Sequence, residues 1–115
     1  MWGGGGDITP IATLAGQSSM TARGANISTT VTFSSVGDYW ILPLFCVTQE
    51  TSVPQQVYIK DPTSCTFTNA TVIERSNKAY HINATSTSVT VKMATGYGSQ
   101  ANCRMAGYVY LLQEG

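Results

Sequence analysis

From Asn26 onward the chain alternates apolar and polar residues with a period of two. Ile27, Thr29, Val31 and Phe33 fall on one face, and Ser28, Thr30, Thr32 and Ser34 on the other, the pattern of a half-buried strand. A turn through Ser35, Val36, Gly37 and Asp38 leads into residues 39–47, where Trp40, Leu42, Leu44 and Cys46 alternate with Ile41, Phe45 and Val47. Both faces are apolar, so this strand is predicted to be central and covered, with Pro43 marking a bulge or an edge in its ladder. Further strands are predicted at 53–60, ended by Asp61 and Pro62, then from Cys65 through Phe67, at Val72 and Ile73, over 80–82 and over 88–93. The last runs from Cys103 to Leu112, with Cys103, Met105, Gly107, Val109 and Leu111 on one side and Arg104, Ala106, Tyr108, Tyr110 and Leu112 on the other.

About eight short strands at spacings of roughly 8–12 residues, with no amphipathic helix between them, predict an all-β protein. The expected architecture is a single antiparallel β-sandwich or jelly roll. Residues 1–25 follow neither period. Four consecutive glycines, Pro10 and a run of small and polar residues read as an extended N-terminal arm ahead of a β-sandwich domain over 26–115.

Composition narrows the function classes. A chain of 115 residues makes one domain. Only 10% of it is charged, while Ser and Thr account for 27 of the 115 residues. Six basic side chains balance six acidic ones, so no long-range field gathers phosphates or anionic lipid. Nucleic-acid and membrane-surface roles are thereby excluded, and no apolar run approaches the roughly 20 residues of a spanning helix. The N-terminus has no basic segment followed by an apolar one, so synthesis in a cytoplasm without export is expected.

No catalytic constellation is visible. The carboxylates of Asp7, Asp38, Glu50, Asp61, Glu74 and Glu114 are dispersed, and the single histidine, His81, has no nucleophile motif near it. The chain is therefore expected not to be an enzyme and to carry no cofactor. Cys46, Cys65 and Cys103 lack metal-ligand spacing and read as free thiols within strands, with no metal site. Sequons at Asn26, Asn69 and Asn83 follow from a Ser/Thr-rich composition.

Two features point outward. Ile41, Phe45, Tyr108, Tyr110 and Leu112 are more apolar surface than one two-layer sandwich can cover, so they are expected to form a homo-oligomer interface. In the arm, Trp2 with Ile8, Ile11 and Leu14 forms a candidate assembly anchor, because a large aromatic ring on a glycine tether serves only where something binds it. On this reading a chain starting near Ala25 keeps its fold. Tyr39 and Tyr97, with Tyr108 and Tyr110, are the alternative: an aromatic platform for sugar stacking, making the protein a carbohydrate-binding β-sandwich module.

The glycine-rich arm, the Thr/Ser-rich β domain, the string Gly37-Asp38-Tyr39-Trp40-Ile41 and the closing Ala106-Gly107-Tyr108-Val109-Tyr110-Leu111-Leu112 together resemble small virion proteins of tailed bacteriophages, namely tail-fibre tips, head fibres and capsid decoration proteins. That resemblance implies a non-enzymatic structural protein in the virion, made in the host cytoplasm. It further implies a homotrimer, attached to other virion proteins through its arm and displaying its β domain outward. A role in host adsorption, with a host-surface glycan as partner, follows from the same resemblance.

Overall fold

The computed structural model describes residues 12–20, 24–49, 56–97 and 103–114. Nine strands are described: β1 (Thr13–Met20), β2 (Asn26–Thr32), β3 (Gly37–Gln49), β4 (Gln56–Lys60), β5 (Ser64–Thr68), β6 (Ala70–Ser76), β7 (Ala79–Ala84), β8 (Ser88–Ala94) and β9 (Cys103–Glu114). They form two antiparallel sheets. The larger runs β1-β9-β3-β7-β6, with β4 also paired to β3, and the smaller runs β2-β8-β5.

The period-two pattern places the core between the sheets. From the smaller sheet Val31, Val89, Val91 and Met93 are fully buried, and from the larger Ile41, Ile82 and Val109 meet them. The polar half of each small-sheet strand faces out: Ser28, Thr30 and Thr32 on β2, Ser64, Thr66 and Thr68 on β5, and Lys92 on β8 are all exposed. Thr30 and Thr90 pair across that face with hydroxyls 3.2 Å apart.

β3 is the spine of the larger sheet. Along one edge it pairs with β9 over its length, and along the other with β7 up to Ile41 and with β4 from Phe45. Pro43 falls in the interval between those two partners, where no ladder on that side needs its missing N–H. Asparagine handles the reversals that need a left-handed residue. Asn77 (φ 58) turns β6 into β7, and Asn69 (φ 69) carries the chain from the smaller sheet into the larger, its side-chain amide donating to the Ser88 carbonyl at 3.2 Å.

The strand count differs from the expected eight because part of the expected arm is a strand. Residues 13–20 form β1, paired to β9 from Thr13 opposite Leu111 to Met20 opposite Met105. No apolar alternation announces it, because its inner side lies against the neighbouring sheet at close range. A Cβ on Gly16 would sit 2.5 Å from the Thr30 carbonyl oxygen, a distance only glycine avoids. Two residues on, the Ser18 hydroxyl donates to the Ser28 carbonyl at 2.7 Å and lies 2.9 Å from the hydroxyl of buried Thr29. Small and hydrogen-bonding residues therefore seal β1 against β2 where apolar ones would not fit. Trp2, Ile8 and Ile11 of the expected anchor lie outside the described residues. Leu14 lies in β1, opposite Tyr110 and 45% exposed.

Candidate assembly surface

Direct cross-strand partners share a face, so the register of β3 with β9 decides which residues point away from the core. Phe45 pairs with Gly107 and Pro43 with Val109, all buried, whereas Leu44 pairs with Tyr108 and Leu42 with Tyr110, all half-buried. The expected interface set of Ile41, Phe45, Tyr108, Tyr110 and Leu112 is thereby split. Ile41 and Phe45 are 0% and 1% exposed, locked in the core between the sheets, and are corrected out of the set. Tyr108, Tyr110 and Leu112 stay on the outer face, and the residues that accompany them are Trp40, Leu42, Leu44 and Cys46. The alternation in 40–47 contained both sets and held no mark of which one faces inward.

β4 extends this surface. Ile59 pairs with Cys46 and Val57 with Thr48, placing both on the outer face at 73% and 59% exposure. Beyond Trp40 the sheet becomes polar. The His81 ring stacks on the Trp40 indole (centroids 4.7 Å, planes 11° apart), and its Nδ1 lies 3.3 Å from Glu74 Oε2. Asn83 donates to Asp38 Oδ1 at 2.7 Å. At the far end of β9, Arg104 is exposed.

The surface is ridged rather than flat. Rings two residues apart on a strand sit about 6.6 Å apart when they stand upright. Tyr108 and Tyr110 have centroids 6.4 Å apart and planes inclined by 27°. They therefore lie side by side along the outer face, with Ala106 leaving low ground beside them. Hollows of about 410 and 340 Å³ open beside Tyr108, the second bounded by Leu44, Cys46, Ile59 and Tyr110. A third, of about 330 Å³, lies between Trp40, Ser76, Ala79 and Leu112.

Of the two ligand candidates, Tyr39 is a core residue and Tyr97 lies at the edge of the core. Tyr39 is 3% exposed, stacks on Phe33 at 4.0 Å and donates its hydroxyl to the Ser35 carbonyl at 2.7 Å. Tyr97 meets Phe45 edge-on at 6.2 Å. Tyr39, buried and stacked, has no open face for a sugar, whereas Tyr97 is half-buried and packed against the core. Among the described residues no group of three or more His, Cys, Asp and Glu side chains could hold a metal ion.

No disulfide joins Cys46, Cys65 and Cys103. Burial pushes Cys65 up from its usual range, and burial together with its hydrogen bond to Cys65 pushes the Tyr80 phenol up to about 12. A raised pKa lowers the thiolate fraction at any given pH and slows attack on thiol reagents. Denatured, unreduced protein should titrate three thiols per chain, while folded protein should react slowly at Cys65 and slowest at Cys103, which is 1% exposed. A denatured count of one would establish a disulfide. The built features are thus an uncharged, ridged apolar face with acid at one end and arginine at the other, and no protein family, curated protein or solved structure matches this chain.

Proposed function

We propose that this protein is a non-enzymatic structural subunit of a bacteriophage virion, of the fibre or decoration type, that self-associates through the outer face of its larger sheet. One observation carries the reading: the two outer faces differ in kind. The smaller sheet shows water Ser, Thr and Lys, whereas the larger shows Trp40, Leu42, Leu44, Tyr108 and Ile59. A contiguous apolar sheet face of this sort marks an interaction site on a folded protein. The segment before β1 attaches the subunit to other virion proteins, with Trp2, Ile8 and Ile11 as contacts and Leu14 at its root, and the β domain is displayed for host adsorption.

Mass spectrometry of purified particles from cells in which the chain is made from its own genome should find it at a fixed stoichiometry. Its absence from the particles sinks the virion role. The second reading, a carbohydrate-binding β-sandwich, draws on the aromatic residues Trp40, Tyr108 and Tyr110 of the same face. Sugar rings stack on aromatic faces that lie open. Glycan-array binding that is lost in Tyr108→Ala while the oligomeric state stays unchanged would favour the sugar.

A further inference from the structure

We propose that two copies of this chain join edge to edge through β4, each strand antiparallel to its partner's about a two-fold axis at Tyr58, so that two larger sheets become one continuous sheet. The contact is made by backbone groups at the sheet margin and is separate from the outer apolar face.

A strand at a sheet margin carries a row of N–H and C=O groups with no ladder partner, and proteins that stay apart blunt such margins with bulges, charges or cover. The margins of this sandwich are treated unequally. β1 and β2 close on each other through the Ser18 hydroxyl, and the β1 ladder is broken between Leu14 and Gly16. β6 has a bulge between Val72 and Glu74, with Glu74 and Arg75 exposed beside it. β5 turns Ser64, Thr66 and Thr68 to the water. Among the described margins, β4 alone combines an unbroken ladder with exposed apolar side chains. Its five pairs with β3 run in register from Lys60 to Gln56, and Val57 and Ile59 are both exposed.

The surroundings suit an added strand. Beyond β7 the larger sheet continues into β6, but no described strand continues it beyond β4. The margin therefore steps inward at β4, leaving room for one strand beside residues 56–60. Just past the end of β4, Asp61 Oδ2 lies 2.8 Å from Lys78 Nζ on the β6–β7 turn, a contact that holds the strand against its own domain. The Tyr58 hydroxyl donates to Gln56 Oε1, and Lys60 Nζ lies 5.8 Å from the ring centroid. Both partners belong to β4 itself, so the ring lies along its own strand and does not cross the margin.

The strand that fits is β4 of a second copy. Each chain has one margin of this kind, and a contact made by the same patch on both partners closes on a two-fold axis. With the axis at Tyr58, Val57 faces the partner's Ile59 and Ile59 the partner's Val57, both pairs on the side of the sheet that carries Cys46 and Thr48. Tyr58 faces its own copy, and Gln56 faces the partner's Lys60. Apolar β-branched residues meet in both outer pairs and no like charges are opposed, the pairing that stabilises a sheet. Five residues span only about 17 Å, well short of a standard interface, so the dimer is a weak one, with a Kd of roughly 10–100 µM.

Tyr58→Cys protein in oxidised glutathione should form a covalent dimer linked from residue 58 to residue 58. Opposed residues of an antiparallel pair have Cα atoms about 4.5–5.5 Å apart, within reach of a disulfide. Peptide mapping distinguishes that link from any made by Cys46, Cys65 or Cys103. Thr30→Cys, exposed on the smaller sheet, should give no such dimer. Sedimentation from roughly 10 to 500 µM reads the register. The double variant Val57→Lys, Ile59→Lys opposes like charges and should raise Kd about tenfold or more, whereas Val57→Lys, Ile59→Glu opposes Lys to Glu in both pairs and should hold Kd within about threefold of the unaltered chain. Both side chains are exposed, so neither variant should move the melting temperature. Oligomers without the 58–58 link, or a Lys/Glu variant that does not recover, overturn the edge pairing and leave association through the outer face standing. A monomer throughout, with no link, overturns both.

Discussion

Removing residues 1–24 should lower the melting temperature by on the order of 10 °C or more, whereas removing residues 1–11 should leave it nearly unchanged. The longer deletion takes away β1, whose ladder with β9 runs from Thr13 to Met20. It strips the β9 edge of its hydrogen-bonding partner and uncovers the side of the sandwich where Ser18 bonds to Ser28 and Thr29. Buried Thr29 then loses a partner, and partly buried Met20, packed against the core, is lost. A few kcal/mol is the expected scale for a bared edge, lost apolar burial and an orphaned hydroxyl together. For a domain of this size each kcal/mol moves the midpoint by several degrees. The expectation that a chain starting near Ala25 keeps its stability is thus replaced, and the boundary of any dispensable arm moves to the start of β1. Matched melts within about 2 °C for the two deletions would show that β1 contributes little.

Two neighbouring residues should respond in opposite ways to truncation. Phe45→Ala should cost about 3–5 kcal/mol, the usual range for emptying a buried phenylalanine site, since its ring is 1% exposed and braced edge-on by Tyr97 at 6.2 Å. Leu44→Ser should cost the single chain about 1 kcal/mol or less, because Leu44 is only half-buried on the outer face, yet should loosen self-association. Chemical denaturation in dilute protein, read beside sedimentation at higher concentration, separates the two effects. Equal stability losses would mean that β3 is covered on both faces within one chain.

The strands whose apolar residues enter the core were legible from alternation alone. Ile27, Thr29 and Val31, and then Val89, Val91 and Met93, are buried as that pattern requires. β9 likewise buries Cys103, Met105, Gly107 and Val109 and turns Tyr108 and Tyr110 outward. β1 was not legible, because a strand that closes a seam uses glycine and serine, and those residues carry no periodic apolar signal. The orientation of β3 was hidden for a different reason: its two faces are equally apolar, and only pairing with β9 distinguishes them. Alternation alone therefore puts Ile41 and Phe45 together with tyrosines that lie on the opposite face, and it gives no sign of Ile59, on a short strand with every residue exposed. The virion reading itself comes from resemblance and from the apolar outer face, not from any residue with chemistry of its own.

The position of β9 governs when this molecule can form. It lies between β1 and β3, so the two strands beside it, both made early, cannot be joined until residues 103–114 have been synthesised. A nascent chain can assemble β2 with β8 and β5, and β6 with β7, while the outer half of its larger sheet still awaits its middle strand. Pairing Thr13 with Leu111 closes nearly the whole chain into one loop, placing the protein among slow folders dominated by distant contacts. During that interval the edge of β3 that pairs with β9 is bare. Unfinished chains therefore carry an unpaired β3 edge until β9 is made, the kind of exposed edge through which slow-folding β proteins associate wrongly.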